Sequence, residues 1–388
     1  MESIPAFISF DFPTSWRHGK GLAASVGQYV QQLGCRKPLV LTDDLLVRLN
    51  VVEPVFASLR ASGIPYGLCG DISEEPTVAL FDTLVRKLDL QQYDVIIAVG
   101  GGSVIDVAKG LALVETFGGH IRDYAGFNKV PGVPRIKTIT IPTTSGTGSE
   151  ISDGVALIDK EHGTKFLVIS KKICPTIALT DPLLTLSMPP AVTATSGVDA
   201  LVHAVESYIS KGAGPVTAGF SLKAMSLLSN NLQKAFRDGL NLQAREQMQI
   251  GATMAMIAGM NAYLGLCHAL AMPLCAMYHM PHGQAVGMVL APVLAYNAAV
   301  SRNKVVEILR LMGFLSGDGQ DDETLQAALG RLTNFFWDLG LGTRLRDYGF
   351  QESHMNTIVT ATMGSAQRPS NPRDPSPEDI ANLVRPIV

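Results

Sequence analysis

Residues 95–109 read VIIAVGGGSVIDVAK, and this stretch decides the fold. Its first five residues are apolar without interruption, the pattern of a strand buried on both faces of a parallel sheet. Gly100, Gly101 and Gly102 then break the strand, and Ser103 through Lys109 open a helical pattern. Glycines let the backbone approach a ligand closely, and the N–H groups of a helix start favour a pyrophosphate. The spacing is not GxGxxG, because Ile105 stands where the third glycine belongs. Taken alone, the segment also fits a bare glycine turn.

Two more strand-like runs flank it, KPLVLT at residues 37–42 and KTITI at residues 137–141. The second runs into PTTSGTGSE, residues 142–150, a turn whose hydroxyls and N–H groups suit a ribose or phosphate. Two such turns at strand ends strengthen the nucleotide reading, since open α/β sheets bind ligands at those carboxyl ends. Asp43 directly follows the first run. There a carboxylate accepts from a ribose 2′-hydroxyl and repels a 2′-phosphate, favouring NAD over NADP; a helix N-cap fits the residue equally well.

From about residue 184 onward the pattern changes to long helical stretches rich in Ala, Leu and Met. The expected fold is therefore α/β, with a dinucleotide-binding parallel-sheet domain over residues 1–183 and an all-helical metal-binding domain over 184–388. A boundary at Asp181-Pro182 is consistent with proline biasing its predecessor away from helix. Residues 368–377, rich in proline, should be irregular before a short last helix.

With 388 residues, 47% hydrophobic, the chain can bury two cores, and a net charge of -3 offers no basic field for nucleic acid or anionic lipid. The first residues carry no secretory pattern, which leaves a cytoplasmic location as the expectation. Five cysteines without CxxC spacing suit neither a disulfide framework nor a thiolate zinc site. Residues 247–301 contain no Asp, Glu, Lys or Arg, but Pro273, Pro281, Pro292 and several His and Asn interrupt them. They read as helices buried in a protein core rather than a membrane span.

That uncharged stretch holds His268 and His282, while Asp199 and His203 lie four apart on a helical run and so share one face. A lone buried histidine is more often a hydrogen-bonded core residue. Four donors together, one carboxylate and three imidazoles, make a complete set for Fe(II) or Zn(II) with room for a substrate oxygen.

These motifs carry a resemblance. Gly100-Gly101-Gly102-Ser103 with Asp106 and Lys109, Pro142-Thr143-Thr144 with Gly146-Thr147, Asp181-Pro182, Asp199-Ala200-Leu201 with His203, Pro281-His282-Gly283 and Asn371-Pro372-Arg373 resemble the iron-containing (group III) alcohol dehydrogenases over essentially the whole length. The resemblance implies hydride transfer between NAD and a small alcohol or aldehyde in a cleft between two domains, and a homo-oligomer. It puts Asp199, His203, His268 and His282 on the metal. It puts Gly101, Gly102, Ser103, Asp106, Thr143, Thr144, Thr147 and Lys165 on the cofactor, and makes Asp43 the ribose acceptor.

Three departures bear on the substrate. Met272 stands four residues after His268, where relatives usually have a second His. Gly259 stands where relatives often place a bulky aromatic, and Glu75 replaces an Asn offered to the cofactor. Met272 is expected to line the pocket without relaying protons, which implies an alkaline optimum for oxidation, and Gly259 is expected to widen the wall for longer substrates. Within the family, a reductase for a ketoacid or an acidic aldehyde, of the maleylacetate-reductase or hydroxyacid-dehydrogenase kind, is the alternative. A dehydroquinate-synthase-like lyase needs several basic side chains, which the uncharged stretch does not supply.

Overall fold

Among the described residues the strands are β1 (Ser15–His18), β2 (Pro38–Leu41), β3 (Gly67–Cys69), β4 (Val95–Gly100), β5 (Gly126–Phe127), β6 (Lys137–Pro142), β7 (Gly154–Asp159), β8 (Thr164–Ile169) and β9 (Ile177–Thr180). The computed structural model describes residues 9–72, 76–161, 164–317, 319 and 321–388. Six strands form one parallel sheet in the order β1-β9-β6-β4-β2-β3. The three runs legible in the sequence are its adjacent strands β2, β4 and β6.

Alternation along β4 explains why it has no polar residue. Ile96 and Ala98 pack on one face with the helix Gly102–Phe117, while Val95, Ile97 and Val99 pack on the other with the helix Glu53–Ala61. All five are buried to 0% exposure, and each large aliphatic side chain contributes about 1.5–3 kcal/mol. A smaller sheet, β5-β8-β7, adds the buried side chains Val155, Leu157 and Val168 to the first face.

Connectivity then selects one crevice. The chain leaves β2 for β3 on one side, but leaves β4 for β6 on the other, so the order reverses between β2 and β4. Ligands gather at such a switch point, beyond the carboxyl ends. Asp43 and Gly101–Gly102 occupy those two ends.

This α/β unit comprises Asp11–Thr144 and Gly148–Met188; the other comprises Pro189–Val388 and Ser145–Thr147, joined by Phe10, whose ring stacks on Phe220. The helical unit thus begins at Pro189 and takes three residues of the 142–150 turn. Its helices include Pro190–Ile209, Pro215–Arg237, Leu242–Ala262, Leu266–Tyr278, His282–Leu311 and Asp322–Asp338 around one core. Proline-rich residues near the end form the turn Arg368–Ser370 before the helix Pro377–Val384. By length and composition alone, His282–Leu311 could cross a membrane, as could the bent pair Leu242–Ala262 and Leu266–Tyr278; 61% of the apolar window of His282–Leu311 is buried within the protein.

None of the five cysteines is in a disulfide, and none is exposed. Burial pushes Cys174 up to about 12, and likewise raises Cys35, Cys69 and Cys267. At pH 8 a thiol of pKa 12 is only about one part in ten thousand thiolate, the reactive form. The native protein should therefore react with a thiol reagent far more slowly than the denatured chain, which should release five equivalents. Rapid native labelling of Cys174, located by peptide mapping, would contradict this.

Candidate functional site

In the α/β unit the two glycine-rich turns lie side by side, because β4 and β6 pair through to Gly100 and Pro142. Thr143 N–H donates to Gly100 O at 3.0 Å. A Cβ on Gly100 would sit 2.6 Å from Val104, and one on Gly101 would sit 3.5 Å from Thr144. Gly101 caps the helix Gly102–Phe117 without a side chain. Among the described residues no N-cap side chain accepts from the first N–H groups of this 16-residue helix, and Gly101, Gly102 and Ser103 are partly exposed. Unsatisfied N–H groups and the dipole together favour a phosphate at that point.

Asp43 has a settled local role. Its Oδ1 accepts from Leu45 N–H at 2.6 Å, capping the helix Asp44–Arg48. Asp106, expected at the cofactor, has partners within the protein. Its Oδ1 accepts from Ser149 Oγ and lies 3.1 Å from Lys109 Nζ, and its Oδ2 accepts from Ala156 N–H at 2.9 Å. Lys109, fully buried, also donates to Ser149 O, Ser152 Oγ and Gly154 O. The pair fastens the helix behind the glycine turn to the segment after the second turn. Lys165 sits on β8 opposite Ile158, half-buried, and Arg122 pairs with Asp159 at 2.7 Å. Glu75 lies outside the described residues. Thr147 is exposed in the part of the turn that packs with the helical unit, where a Cβ on neighbouring Gly146 would meet Ser196 at 2.6 Å.

In the helical unit Asp199, His268 and His282 offer ligand atoms that all lie within 4.8 Å of one another, and His203 approaches this group through Asp199. The helix Pro190–Ile209 carries Asp199 and His203 one turn apart, Leu266–Tyr278 carries His268 in its first turn, and His282–Leu311 begins at His282. Asp199 Oδ1 lies 3.6 Å from Nε2 of His203, of His268 and of His282. Among the described residues Asp199 Oδ1 and His268 Nε2 are buried without a hydrogen-bond partner. Orphaned buried polar atoms are costly. One acid oxygen facing three imidazole nitrogens fits a divalent cation bound among them.

The surrounding charges act on each group differently. Burial works against the Asp199 carboxylate, but His203, His268 and His282 outweigh it and hold it well below the usual range. For His203 burial dominates and lowers the imidazole to about 4 despite Asp199. Burial also opposes the charged form of His268, yet Glu206 and Asp199 outweigh it and raise the imidazole to about 9.

The models of known families match both halves of the chain. Iron-containing alcohol dehydrogenase matches residues 13–182, and the C-terminal part of the Fe-containing alcohol dehydrogenase family matches residues 193–388. The chain belongs to the iron-containing alcohol dehydrogenase family. It is 34% identical over 373 residues to a 1,3-propanediol dehydrogenase of Klebsiella pneumoniae, covering 95% of each chain. It is 30% identical over 377 residues to an NAD-dependent methanol dehydrogenase of Bacillus methanolicus, covering 97% of this chain and 99% of that one. The crystal structure of a 1,3-propanediol oxidoreductase superposes with a TM-score of 0.91 at 33% identity, over 98% of this chain and 100% of the other.

As a member of the iron-containing alcohol dehydrogenases the chain is an oxidoreductase of alcohols, and its own departures now have places. Met272 is half-buried one turn after His268. The space expected to stand open beside Gly259 is occupied: a Cβ there would sit 3.1 Å from Leu264 Cδ2 and 3.8 Å from Met256 Sδ. What the sequence reading missed is Glu206. It accepts from His268 Nδ1 at 2.5 Å and from Cys267 N–H at 2.5 Å. The signal was there, since Asp199, His203 and Glu206 fall at i, i+4 and i+7 on one helix face.

Proposed function

We propose that the protein is an NAD-dependent dehydrogenase of small alcohols that also reduces the corresponding aldehydes, uses one Fe(II) or Zn(II) per chain, and works as a homo-oligomer in the cytoplasm. The observation that carries this reading is the convergence of three Nε2 atoms on Asp199 Oδ1, each at 3.6 Å. A divalent cation held by Asp199, His203, His268 and His282 supplies Lewis acidity to an alcohol or aldehyde oxygen.

The chain's own residues do the rest. His203, held neutral at pH 7 by its burial, presents an unprotonated ring nitrogen. Asp199, His203 and His268 side chains are only 4–5% exposed, whereas His282 reaches 24%, so substrate approaches from the His282 side. Met272, a thioether, carries no proton, and the proton released on oxidation leaves by water; oxidation should therefore speed up with rising pH. Residues 247–301 supply no Lys or Arg to hold a substrate carboxylate, which disfavours the ketoacid and acidic-aldehyde readings. An NADH assay over a panel of aldehydes, with Fe(II) or Zn(II) added, tests the proposal. No turnover of any aldehyde with either metal would sink it.

NAD preference rests on Asp43 at the switch point. Asp43→Gly should narrow the NAD/NADP ratio of kcat/KM by at least about tenfold, roughly 1.4 kcal/mol. Because Gly is itself an acceptable N-cap, the loss of the bond to Leu45 costs only a few tenths of a kcal/mol. A slightly lower melting temperature with an unchanged cofactor ratio would leave Asp43 as a cap alone.

A further inference from the structure

Glu206 is 2% exposed and lies on the helix that carries Asp199 and His203. Its two oxygens point different ways. Oε1 accepts from Cys267 N–H at 2.5 Å at the start of the helix Leu266–Tyr278, and Oε2 meets His268 Nδ1 at 2.5 Å. The same carboxylate therefore holds both the backbone at the start of that helix and the ring of its third residue.

The turn that delivers His268 is held on its other side as well. A Cβ on Gly265 would sit 3.1 Å from Glu206 Oε1 and 3.2 Å from Asn371 Oδ1. Asn371 and Asn297 are both buried and exchange reciprocal amide hydrogen bonds at 2.8 and 3.0 Å. Asn371 of the terminal Asn371-Pro372-Arg373 motif thus lies beside Gly265, where an added side chain would crowd both it and Glu206. By contrast, the ring of His282 meets a thiol, Cys275 Sγ, at the longer distance of 3.6 Å.

A carboxylate that accepts at Nδ1 fixes the hydrogen on that nitrogen and leaves the Nε2 lone pair free for a cation on the Asp199 side. We propose that Glu206 is a positioning residue for the metal site, fixing the tautomer and orientation of His268. This rests on the metal reading given above. Glutamine cannot substitute: the amide has one accepting oxygen, so it must abandon either Cys267 N–H or the His268 Nδ1–H, and in the second case the ring is free to carry its hydrogen on Nε2.

The test is Zn2+ affinity of the full-length protein, by competition with a chromophoric chelator, for wild type, Glu206→Gln, His268→Ala and the double variant. Removing such an outer partner typically weakens metal binding 10–100-fold. Glu206→Gln should therefore weaken Zn2+ binding at least about tenfold, with an altered visible spectrum of the Co2+-loaded protein, yet add little in the His268→Ala background. Binding by Glu206→Gln within threefold of wild type overturns the proposal. So does an equal loss in both backgrounds, which marks a merely structural role. If Glu206→Gln does not fold, Glu206→Asp, which keeps the charge but withdraws both oxygens, is read by the same criteria. Failure of wild type to bind Zn2+, Fe2+ or Co2+ at all overturns the metal reading itself, and with it this one.

Discussion

Asp199→Asn is expected to leave a folded protein that holds almost no metal. The side chain keeps its shape and its place on the helix Pro190–Ile209, so packing around it is preserved. What is lost is the negative charge at the one oxygen that faces all three imidazoles at 3.6 Å. Three neutral nitrogens with an amide oxygen bind a divalent cation more weakly than the same nitrogens with a carboxylate, because charge supplies much of the affinity of a hard or borderline ion. The variant should retain below about a tenth of an equivalent after chelator dialysis and lose at least about a thousandfold in kcat, about 4 kcal/mol of barrier. Elemental analysis and circular dichroism together check it. Full metal content with full turnover in Asp199→Asn would mean that the cation, if any, is bound elsewhere.

How much of this could be read from the residues depends on the range of the interaction that fixes each one. β2, β4 and β6 are legible because a strand buried on both faces must be apolar throughout. β1, with the sequence SWRH on the sheet edge, shows no apolar run and is invisible to that reasoning. β7, GVALID, alternates buried and half-buried residues and carries the one-sided signature that a longer apolar run lacks.

The site divides the same way. Asp199 and His203 are legible from helical spacing, and His268 and His282 from being the right residue type in an uncharged helical segment. Asp106 is expected at the cofactor from its position in a glycine-turn motif, and its structural role is not legible there. Its real partners, Ser149 and Ala156, stand 43 and 50 residues away, and nothing local announces them. Gly259 is the same lesson for space: the absence of a side chain does not make a cavity when Leu264 lies against the backbone.

Gly283→Ala is expected to be nearly as damaging as loss of a ligand, although Gly283 binds nothing. An added Cβ would stand 1.8 Å from Thr195 O and 2.5 Å from Thr195 C, well inside any permitted contact. Both atoms are backbone, so no rotamer change relieves the clash. Either the start of the helix His282–Leu311 or the middle of Pro190–Ile209 must move. Gly283 adjoins His282, and Thr195 lies one turn before Asp199, so each escape displaces a metal donor. Overpacking of this kind costs about 1–3 kcal/mol, roughly 2–12 °C of melting temperature for a domain of this size. The larger effect falls on the site, where a shift of about 1 Å is enough to cost about a hundredfold in rate. Gly330→Ala is the control. Gly330 is exposed on the helix Asp322–Asp338 with nothing within 4 Å of an added Cβ, so alanine there should be neutral or stabilise by about 0.5–1 kcal/mol. Metal content, kcat and melting temperature measured on the two variants separate the steric argument from a general cost of replacing helical glycine. If Gly283→Ala binds metal and turns over like Gly330→Ala, the two helices are not held at the distance on which the metal site depends.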